Sequence, residues 1–422
     1  MSRADIVIFG ATGFTGRRVV EQLVEGFRKY RPLTWGIAGR SLTDLQELVK
    51  TVLKHSEQHG KTVKIIVADA NNEASLREMC SATKVLVNCC GPYQLYGEAV
   101  VRAAIDSKCH YVDISGETLF IEKMQLLYDE RARAAGVYVV SACGYDCVPN
   151  DMGTVFLQQK FEGTLNSVES YMAADIPKGH ILNMIQTGCA HYGTWASLVY
   201  SIANSNELGP LRKKLFTEKL PVCKPILEKR GVHRHEGAVA APFLGADRAV
   251  VHRTQRRLHA ADGRRPVQFR PYFTFSSIAA LVVVAVSVFF VYLLTRTRWT
   301  TQALLKWPRV FSLGLVSRRG PARALTDATR YATTLHGRGW PPGADCDAER
   351  PDKELVVRVS GTDPGYGATA RALLCCALTV LRDQGSMPAG GGVLTTGAAF
   401  EKTTLIELLI EHDMKFEILD PQ

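Results

Sequence analysis

The chain lacks several features that would place it in other classes of protein. Its first residues, Met-Ser-Arg-Ala-Asp, contain no apolar run, so we expect no secretory signal peptide, and the first predicted strand begins at once, which leaves no room for a transit peptide. The 11 cysteines include no C-x-x-C pair. This predicts no metal site and no redox dithiol, but reduced thiols in a protein that faces the cytosol. The apolar fraction of 46% excludes a disordered chain.

The positive charge is concentrated in one part of the 422 residues. The formal net charge is +10, yet residues 210–330 alone hold 23 Lys and Arg against 6 Asp and Glu, so the remainder is acidic overall. No nucleic-acid-reading motif accompanies this basic stretch, and nucleic-acid binding is therefore not expected. The same stretch contains nineteen residues without a charge, 276–294.

This apolar run predicts contact with a membrane. A helix of that length spans about 28 Å, close to the hydrocarbon thickness of a bilayer. Basic residues lie on both sides of it, so the positive-inside rule gives no orientation. A second apolar stretch follows around Trp299 and Trp307 and is broken at Pro308, which favours a hairpin that dips into one leaflet, or an interfacial helix. The cationic flanks would meet the anionic surface of a cytosol-facing membrane or lipid droplet; a basic surface without a partner is the alternative.

The first 150 residues alternate apolar strands with helices. This alternation predicts an α/β fold with a Rossmann doubly wound parallel sheet. Residues 5–9 have the pattern of a buried strand, a glycine-rich turn follows at once, and a helical pattern begins directly after the turn. The glycines let the backbone approach a pyrophosphate, and the helix N-terminus supplies free N–H groups. We therefore predict dinucleotide contacts at Gly10, Ala11, Thr12, Gly13, Phe14, Thr15 and Gly16.

The end of the second strand bears on the choice of cofactor. An NAD site usually has an acidic residue here for the ribose 2′-hydroxyl, whereas this chain has Arg40 and Ser41. Arginine can pair with a 2′-phosphate, so NADP is favoured over NAD. The alternative is that Arg40 only lies at the start of the next helix. Asp69, just after the third strand, could contact the adenine amine or cap the next turn.

The fourth, fifth and sixth strands end in polar or aromatic residues, at the sheet edge where such folds bind ligands. After the fourth strand we predict cofactor contacts at Cys89, Gly91 and Tyr93, with the rings of Tyr93 and Tyr96 flanking a nicotinamide. The candidate proton donors or substrate anchors, each of which could also be a loop hydrogen-bonding residue or a helix cap, are Tyr96, Asp113, Tyr145 and Asp146.

The pattern is looser beyond the predicted Rossmann domain of residues 1–150. We expect an inserted α+β substrate or dimerisation domain at 151–270, a hydrophobic and basic membrane-associating segment at 271–320, a linker rich in Gly, Pro and Arg at 321–352, and a C-terminal segment at 353–422 that packs back on the N-terminal domains.

Taken together, these motifs resemble those of the saccharopine dehydrogenase-like oxidoreductases, nearly end to end. The resemblance rests on residues 10–16, 38–41, 88–93 with 96–97, 113–117, 193–195, 390–393 and 397–400. It implies a Rossmann domain, an inserted domain, and an oxidoreductase associated with membranes and lipid droplets, and related bacterial members resemble enoyl reductases for lipid chains. The sequence departs from the family pattern at Thr396, where proline is expected.

The sequence thus predicts an NAD(P)-dependent oxidoreductase of the saccharopine dehydrogenase family at a lipid surface. Its substrate would be a small molecule or a lipid-linked enoyl or keto group, and the chain could form a homodimer. No Lys-Tyr pair or His-Asp dyad stands out in the sequence. A non-catalytic nucleotide-sensing or scaffold protein on droplets or membranes is therefore the alternative.

Overall fold

The computed structural model describes residues 3–30, 32–54 and 63–419. Residues 420–422 of the predicted C-terminal segment thus lie outside the described residues. The strands in chain order are β1 Ala4–Phe9, β2 Trp35–Gly39, β3 Lys64–Val67, β4 Thr83–Asn88, β5 His110–Asp113, β6 Tyr138–Val140, β7 Thr164–Asp175, β8 Ala190–His191, β9 His233–His235, β10 Ala238–Pro242, β11 Gln268–Phe275, β12 Val316–Ser317, β13 Arg330–Trp340, β14 Lys353–Thr362, β15 Gly392–Leu394 and β16 Lys415–Leu419.

Helices connect these strands and cover the sheets. In chain order they are α1 Phe14–Glu25, α2 Leu42–Leu53, α3 Glu73–Ser81, α4 Tyr93–Asp106, α5 Thr118–Ala134, α6 Val148–Lys160, α7 Ile181–Thr187, α8 Tyr192–Ala203, α9 Leu208–Leu215, α10 Asp247–Asp262, α11 Ile278–Leu294, α12 Arg298–Lys306, α13 Pro308–Phe311, α14 Arg323–Ala328, α15 Thr369–Arg382, α16 Thr396–Phe400 and α17 Leu405–Glu411.

The first sheet has seven parallel strands in the order β15-β6-β5-β4-β1-β2-β3. Apolar side chains on its two faces form two separate buried clusters under the covering helices. The predicted Rossmann-type doubly wound sheet is therefore confirmed. Strand β15 adds the C-terminal part of the chain to this sheet, beside β6.

The second sheet is mixed and has the order β16-β14-β13-β7-β11-β10-β9. Strands β7 and β11 pair in parallel, and the other neighbours pair antiparallel. Helix α6 packs on β13, β14 and β7, between this sheet and the rest of the chain. The sheet combines strands from residues 164–275 with strands from the C-terminal part, so the inserted region does not form it alone.

Strand β13 corrects the expectation of a linker at residues 321–352. It has 11 residues and lies between β7 and β14. The glycines that suggested a loop allow close packing instead: a Cβ on Gly337 would lie 2.5 Å from Leu157 Cδ2, and one on Gly339 would lie 2.1 Å from the carbonyl oxygen of Thr164. Glycine content was therefore a misleading signal here, because the strand needs it for contact with its neighbours.

Two helices also differ from the sequence prediction. The residue pattern after the fourth strand predicts a helix over residues 98–107, whereas helix α4 begins five residues earlier, at Tyr93. Helix α6 was not predicted, because the buried polar residues Asn150, Asp151 and Thr154 interrupt its apolar pattern.

Two apolar helical stretches have opposite environments. Among the described residues, Pro364–Arg382 is long and apolar enough to cross a membrane, but 78% of its apolar window is buried inside the protein. It packs on α1, β4 and β5, as a core helix does. Helix α11 has 17 residues, and Val291 alone among its side chains is buried. Its C-terminal end packs on α8 and α12, the helix also contacts β10 and β11, and most of its residues are exposed.

A buried polar cluster joins α6 to α10 and to the C-terminal segment. Asp151 Oδ2 accepts hydrogen bonds from Thr396 Oγ1 at 2.8 Å and from the Gly397 N–H at 2.6 Å. Thr396, which stands where the family pattern has proline, thus gains a buried partner. Asn150 Nδ2 donates to Asp247 Oδ1 at 2.6 Å. Burial raises the pKa of Asp247 from 3.8 to about 7, against the lowering effect of the Asn150 bond.

This raised pKa predicts a pH dependence of stability. Above pH 3.8 the unfolded carboxyl is ionised while the folded one keeps its proton up to about pH 7, so Asp247 lowers the free energy of unfolding as the pH rises through that window. The Asp247→Asn variant lacks this loss. We compare the free energy of unfolding of the variant with that of wild type at each pH. The difference, variant minus wild type, should be more positive at about pH 8 than at about pH 4 by several kcal/mol, because one pKa unit corresponds to about 1.4 kcal/mol.

Urea denaturation at a series of pH values measures this difference. Asp106, whose carboxylate forms an exposed ion pair with Arg131, supplies the control Asp106→Asn. A pH profile of Asp247→Asn that runs parallel to that of wild type would show that Asp247 is already ionised in the folded protein.

Candidate cofactor and active site

The glycine-rich turn after β1 is shaped for close backbone contact. Gly10 has φ +76°, and a Cβ on Gly16 would lie 2.1 Å from the Gly10 carbonyl oxygen. Helix α1 begins directly after the exposed Gly13, so its first N–H groups have no acceptor within the helix. The positive end of the helix dipole lies at the same place. A dinucleotide pyrophosphate fits this arrangement, because it needs N–H donors and the absence of side chains.

The other residues of the turn divide into buried and accessible ones. Ala11 is buried, and its N–H donates to the Ala38 carbonyl at 3.3 Å. Thr12 and Thr15 are partly exposed. The Phe14 ring instead packs inward: it stacks on His191 with centroids 4.8 Å apart and meets the edge of Tyr366 at 4.7 Å. The backbone of Phe14, and not its side chain, therefore faces the predicted pyrophosphate position.

Arg40 lies at the carboxyl end of β2 and is exposed. Within the described ranges, no residue forms a hydrogen bond or ion pair with its guanidinium. It lies near Cys90, since its charge lowers the pKa of that thiol while burial, the larger effect, raises it. Arg40 is therefore free to meet an anion beside the turn.

The neighbouring predicted contacts have local roles. Ser41 Oγ accepts the Asp44 N–H at 3.2 Å and so caps α2. Asp69 Oδ1 accepts the N–H of Asn71 at 2.9 Å, and the Asp69 N–H donates to Ser75 Oγ at 3.1 Å. This is the turn-capping alternative that the sequence left open for Asp69.

The residues after β4 do not all face the cleft. The Tyr93 hydroxyl donates to the Asn88 carbonyl at 2.9 Å, and the ring is buried against Phe120. Tyr93 therefore does not flank an open nicotinamide position as predicted, because α4 begins early enough to turn this ring into the core. Gly91 is exposed, and Cys89 is partly exposed with a thiol whose pKa is raised by burial.

Glu117 is a site residue that the sequence did not identify. Its Oε1 accepts the Tyr93 N–H at 2.8 Å and the Ser197 hydroxyl at 2.7 Å, and its Oε2 accepts the Gln94 N–H at 2.8 Å. The carboxylate thus caps the N-terminus of α4 and joins it to α8. Sequence spacing gives no sign of this cap, because Glu117 lies 24 residues after Tyr93, the first residue of the helix it caps.

Asp113 serves the structure of the sheet edge. It is 0% exposed. Oδ1 accepts the N–H groups of Ser115 at 2.9 Å and Ala142 at 3.1 Å, and Oδ2 accepts the hydroxyls of Tyr111 at 2.8 Å and Ser141 at 3.0 Å. Burial raises the pKa of Asp113 to about 6 despite these bonds. Four protein donors surround this carboxyl, which leaves no room for a substrate.

Asp146, in the loop between β6 and α6, has the opposite environment. Its side chain is exposed to solvent, although surrounding protein raises the pKa of its carboxyl by desolvation. No residue in the described part of the chain forms a hydrogen bond with that carboxyl. A Cβ on Gly116 would lie 3.0 Å from Asp146 Oδ2, so the glycine keeps the space beside the carboxyl open. An aspartate at the surface whose carboxyl has a raised pKa has the properties of a general acid.

The two candidate tyrosines differ from each other. The Tyr145 ring meets the edge of Tyr331 with centroids 4.6 Å apart, its N–H donates to Thr369 Oγ1 at 3.1 Å, and burial raises its pKa. Tyr96 lies on α4, is partly exposed, and is close enough to Tyr200 to influence its pKa. Of the four candidates, Asp146 combines access with a perturbed pKa.

Comparisons with known proteins agree with this geometry. Residues 6–140 match the family model described as "Saccharopine dehydrogenase NADP binding domain". The chain is 36% identical to the human "Saccharopine dehydrogenase-like oxidoreductase", over 98% of this chain and 97% of that protein. It is 34% identical to the Caenorhabditis elegans "Lipid droplet localized protein", over 99% of each.

A solved structure shows the same fold. Apo saccharopine dehydrogenase (L-Glu forming) from Saccharomyces cerevisiae has a TM-score of 0.53 to this chain at 14% identity, and the match covers 99% of this chain and 100% of that one. The glycine turn has the backbone geometry that a pyrophosphate requires, which agrees with the match to an NADP-binding domain. The protein belongs to the saccharopine dehydrogenase-like family of NAD(P)-binding oxidoreductases.

Proposed function

We propose that this protein is an NADP-dependent reductase that acts on a lipid-linked enoyl or keto group at the cytosolic surface of a membrane or lipid droplet. One observation carries the proposal: a chain with a nucleotide-binding turn also presents a helix, α11, whose apolar side chains are exposed. A water-soluble enzyme gains nothing from such a helix, because each exposed apolar side chain costs solvation free energy.

The exposed apolar surface extends beyond α11. On α11 itself Phe289 is 60% exposed, and beside the helix Trp299 is 89% exposed. Basic side chains lie at the same end of the helix, including Arg296 and Arg298. Apolar residues that insert among acyl chains and cations that meet anionic head groups are the components of a monotopic membrane anchor.

The sheet topology supports an anchor that does not span. Strand β13 pairs with β7, and β15 pairs with β6, although α11 lies between the members of each pair in sequence. The chain before and after α11 must therefore be on the same side of a bilayer. A helix of 17 residues that lies within one leaflet, with the chain before and after it on the same side, satisfies this requirement.

The chemistry we propose needs one hydride and one proton. NADPH, when bound at the glycine turn, supplies the hydride. Asp146 holds a proton to a higher pH than an ordinary aspartate and donates it from its accessible carboxyl. Together they reduce one C=C or C=O bond. Glu117 and Asp113 hold the surrounding loops in place through their buried hydrogen bonds.

A second candidate function is a nucleotide-sensing or scaffold protein without turnover. It is favoured by the placement of Asp113 and Tyr93, two residues at the cleft whose side chains are committed to buried contacts. This alternative predicts that NADPH binds but that no lipid substrate oxidises it. The homodimer considered from the sequence stays a prediction.

Arg40→Ala tests the cofactor preference. We expect NADPH affinity to fall about 10- to 100-fold, because a charge-assisted hydrogen bond to the 2′-phosphate is lost, while NADH affinity changes less than about threefold. Isothermal titration calorimetry with each nucleotide measures both. Arg77→Ala, at an exposed ion pair on α3, is the control. Equal weakening of both nucleotides, or of neither, would remove Arg40 as the selecting residue.

Asp146→Asn tests the proton donor. The rate of NADPH oxidation with vesicle-borne enoyl or keto acyl lipids should fall about 10²- to 10⁴-fold, while NADPH affinity stays the same. In wild type the rate should decline as the pH rises through the pKa of Asp146, since the proton is then lost, and this limb should be absent from the variant. If Asp146→Asn retains the wild-type rate and pH profile, a group other than Asp146 donates the proton. Asp106→Asn is again the control.

The double variant Val286→Asp/Phe289→Asp tests the membrane anchor. Flotation with vesicles of phosphatidylcholine and phosphatidylserine should show at least an about tenfold lower bound fraction, because two charges would have to enter the acyl region. Leu244→Asp is the matched control, since Leu244 is 94% exposed but lies outside the proposed anchor. Undiminished flotation of the double variant, with binding lost in Leu244→Asp, would place the lipid contact on another surface.

A further inference from the structure

A cluster of imidazoles lies on the second sheet, on residues that the proposed reductase chemistry does not use. His235 ends β9, Glu236 follows in the turn to β10, and His336 lies on β13. One ligand atom from each of these three side chains lies within 4.8 Å of the others. We infer that His235, Glu236 and His336 form a binding site for a divalent transition-metal ion, of which Zn²⁺ is the best match.

The hairpin of β9 and β10 folds over the sheet and creates this proximity. Strands β10, β11 and β7 separate β9 from β13 in the sheet order. The His235 ring nevertheless stacks on Tyr171 of β7, with centroids 3.5 Å apart and planes 7° apart. The edge contact between His235 and His336, with centroids 5.0 Å apart at 85°, then brings the two imidazoles together.

The two histidines present nitrogen atoms that lack protein partners. The Nε2 atoms of His235 and His336 are both buried, and neither forms a hydrogen bond with any described residue. Leaving such atoms unsatisfied is costly, and a metal ion would satisfy both at once.

The third ligand is positioned by the hairpin turn. Glu236 has φ +46°, and its Oε1 lies 3.8 Å from His235 Nε2. Its side chain is largely exposed, so it can move toward an ion without disturbing the core. Two imidazoles and one carboxylate are ligands that Zn²⁺ binds in proteins. Metal–ligand bonds of about 2.1 Å require only a small contraction of the observed separations.

The surroundings leave room for a fourth ligand. His235 and His336 line a pocket of about 490 Å³ beside Glu169, the register partner of His336 on β7. Glu169 Oε1 is buried and lacks a hydrogen-bond partner among the described residues, while Oε2 lies 3.5 Å from Arg230. Water, or a shift of Glu169, can complete a tetrahedral site. The bound ion would join the β9–β10 hairpin to the middle of the sheet.

His233 distinguishes this site from nonspecific binding by histidine. It lies on the same strand as His235, but its Nδ1 contacts the Gly231 carbonyl at 2.9 Å and its Nε2 contacts the Tyr171 hydroxyl at 3.2 Å. His233→Ala is therefore a matched control that removes one imidazole from the same hairpin. Every variant in this set keeps all the cysteine thiols, so Zn²⁺ bound by the thiols cannot account for a difference between the variants.

The test is Zn²⁺ binding to the full-length protein, measured by competition with a chromophoric chelator under reducing conditions. Wild type should bind one Zn²⁺ per chain. The affinity of the double variant His235→Ala/His336→Ala for this ion should be at least about 100-fold lower. Glu236→Gln should weaken it about tenfold or more, and His233→Ala should not. Addition of Zn²⁺ should raise the Tm of wild type in thermal unfolding. It should not change the Tm of the double variant.

Two outcomes would overturn the assignment. One is wild type that binds no Zn²⁺ beyond the amount retained by the folded double variant. The other is an equal loss of binding in His233→Ala, which would show a diffuse histidine surface. Neither outcome bears on the proposed reductase, because the metal site and the nucleotide turn lie on different sheets.

Discussion

Both sheets of this protein are completed by strands that follow the exposed apolar helix in sequence. Strand β15 pairs with β6 in the nucleotide-binding sheet, and β13 lies between β7 and β14 in the other. This constraint keeps the two ends of the chain on one side of any membrane that α11 enters. It also brings Tyr366, from the chain after α11, onto Phe14, whose ring stacks on His191, so the chain on both sides of α11 supports the turn on which nucleotide binding depends.

The sequence was most informative where local chemistry dictates the structure. The glycines of residues 10–16 are required by backbone contacts, and the uncharged run at 276–294 does form an exposed helix. The sequence prediction failed where contacts with residues far away in the sequence determine the local structure. Gly337 and Gly339 indicate a loop until Leu157 and Thr164 are seen packed against them. The sequence also gives no indication of the cap that Glu117 provides for α4, because the N–H groups that Glu117 accepts belong to an earlier part of the chain.

Asp113 and Asp146 show why position at a strand end does not identify a catalytic group. Both follow strands of the first sheet, and desolvation raises the pKa of both. Asp113 is enclosed by four hydrogen-bond donors, whereas Asp146 keeps an accessible carboxyl beside Gly116. The sequence could propose the two residues but could not separate them, since the difference lies in how the neighbouring loops fold around each one.

The late completion of both sheets has a consequence for biosynthesis. Helix α11 leaves the ribosome before β13, β14 and β15 are made, so the apolar helix emerges while neither sheet has its full set of strands. Pairing across such sequence separations is slow, and the incomplete sheets expose unpaired edges in the meantime. If α11 is the membrane anchor that we propose, attachment of the nascent chain to a lipid surface would precede completion of both sheets. Early attachment would shield α11 from aggregation during translation.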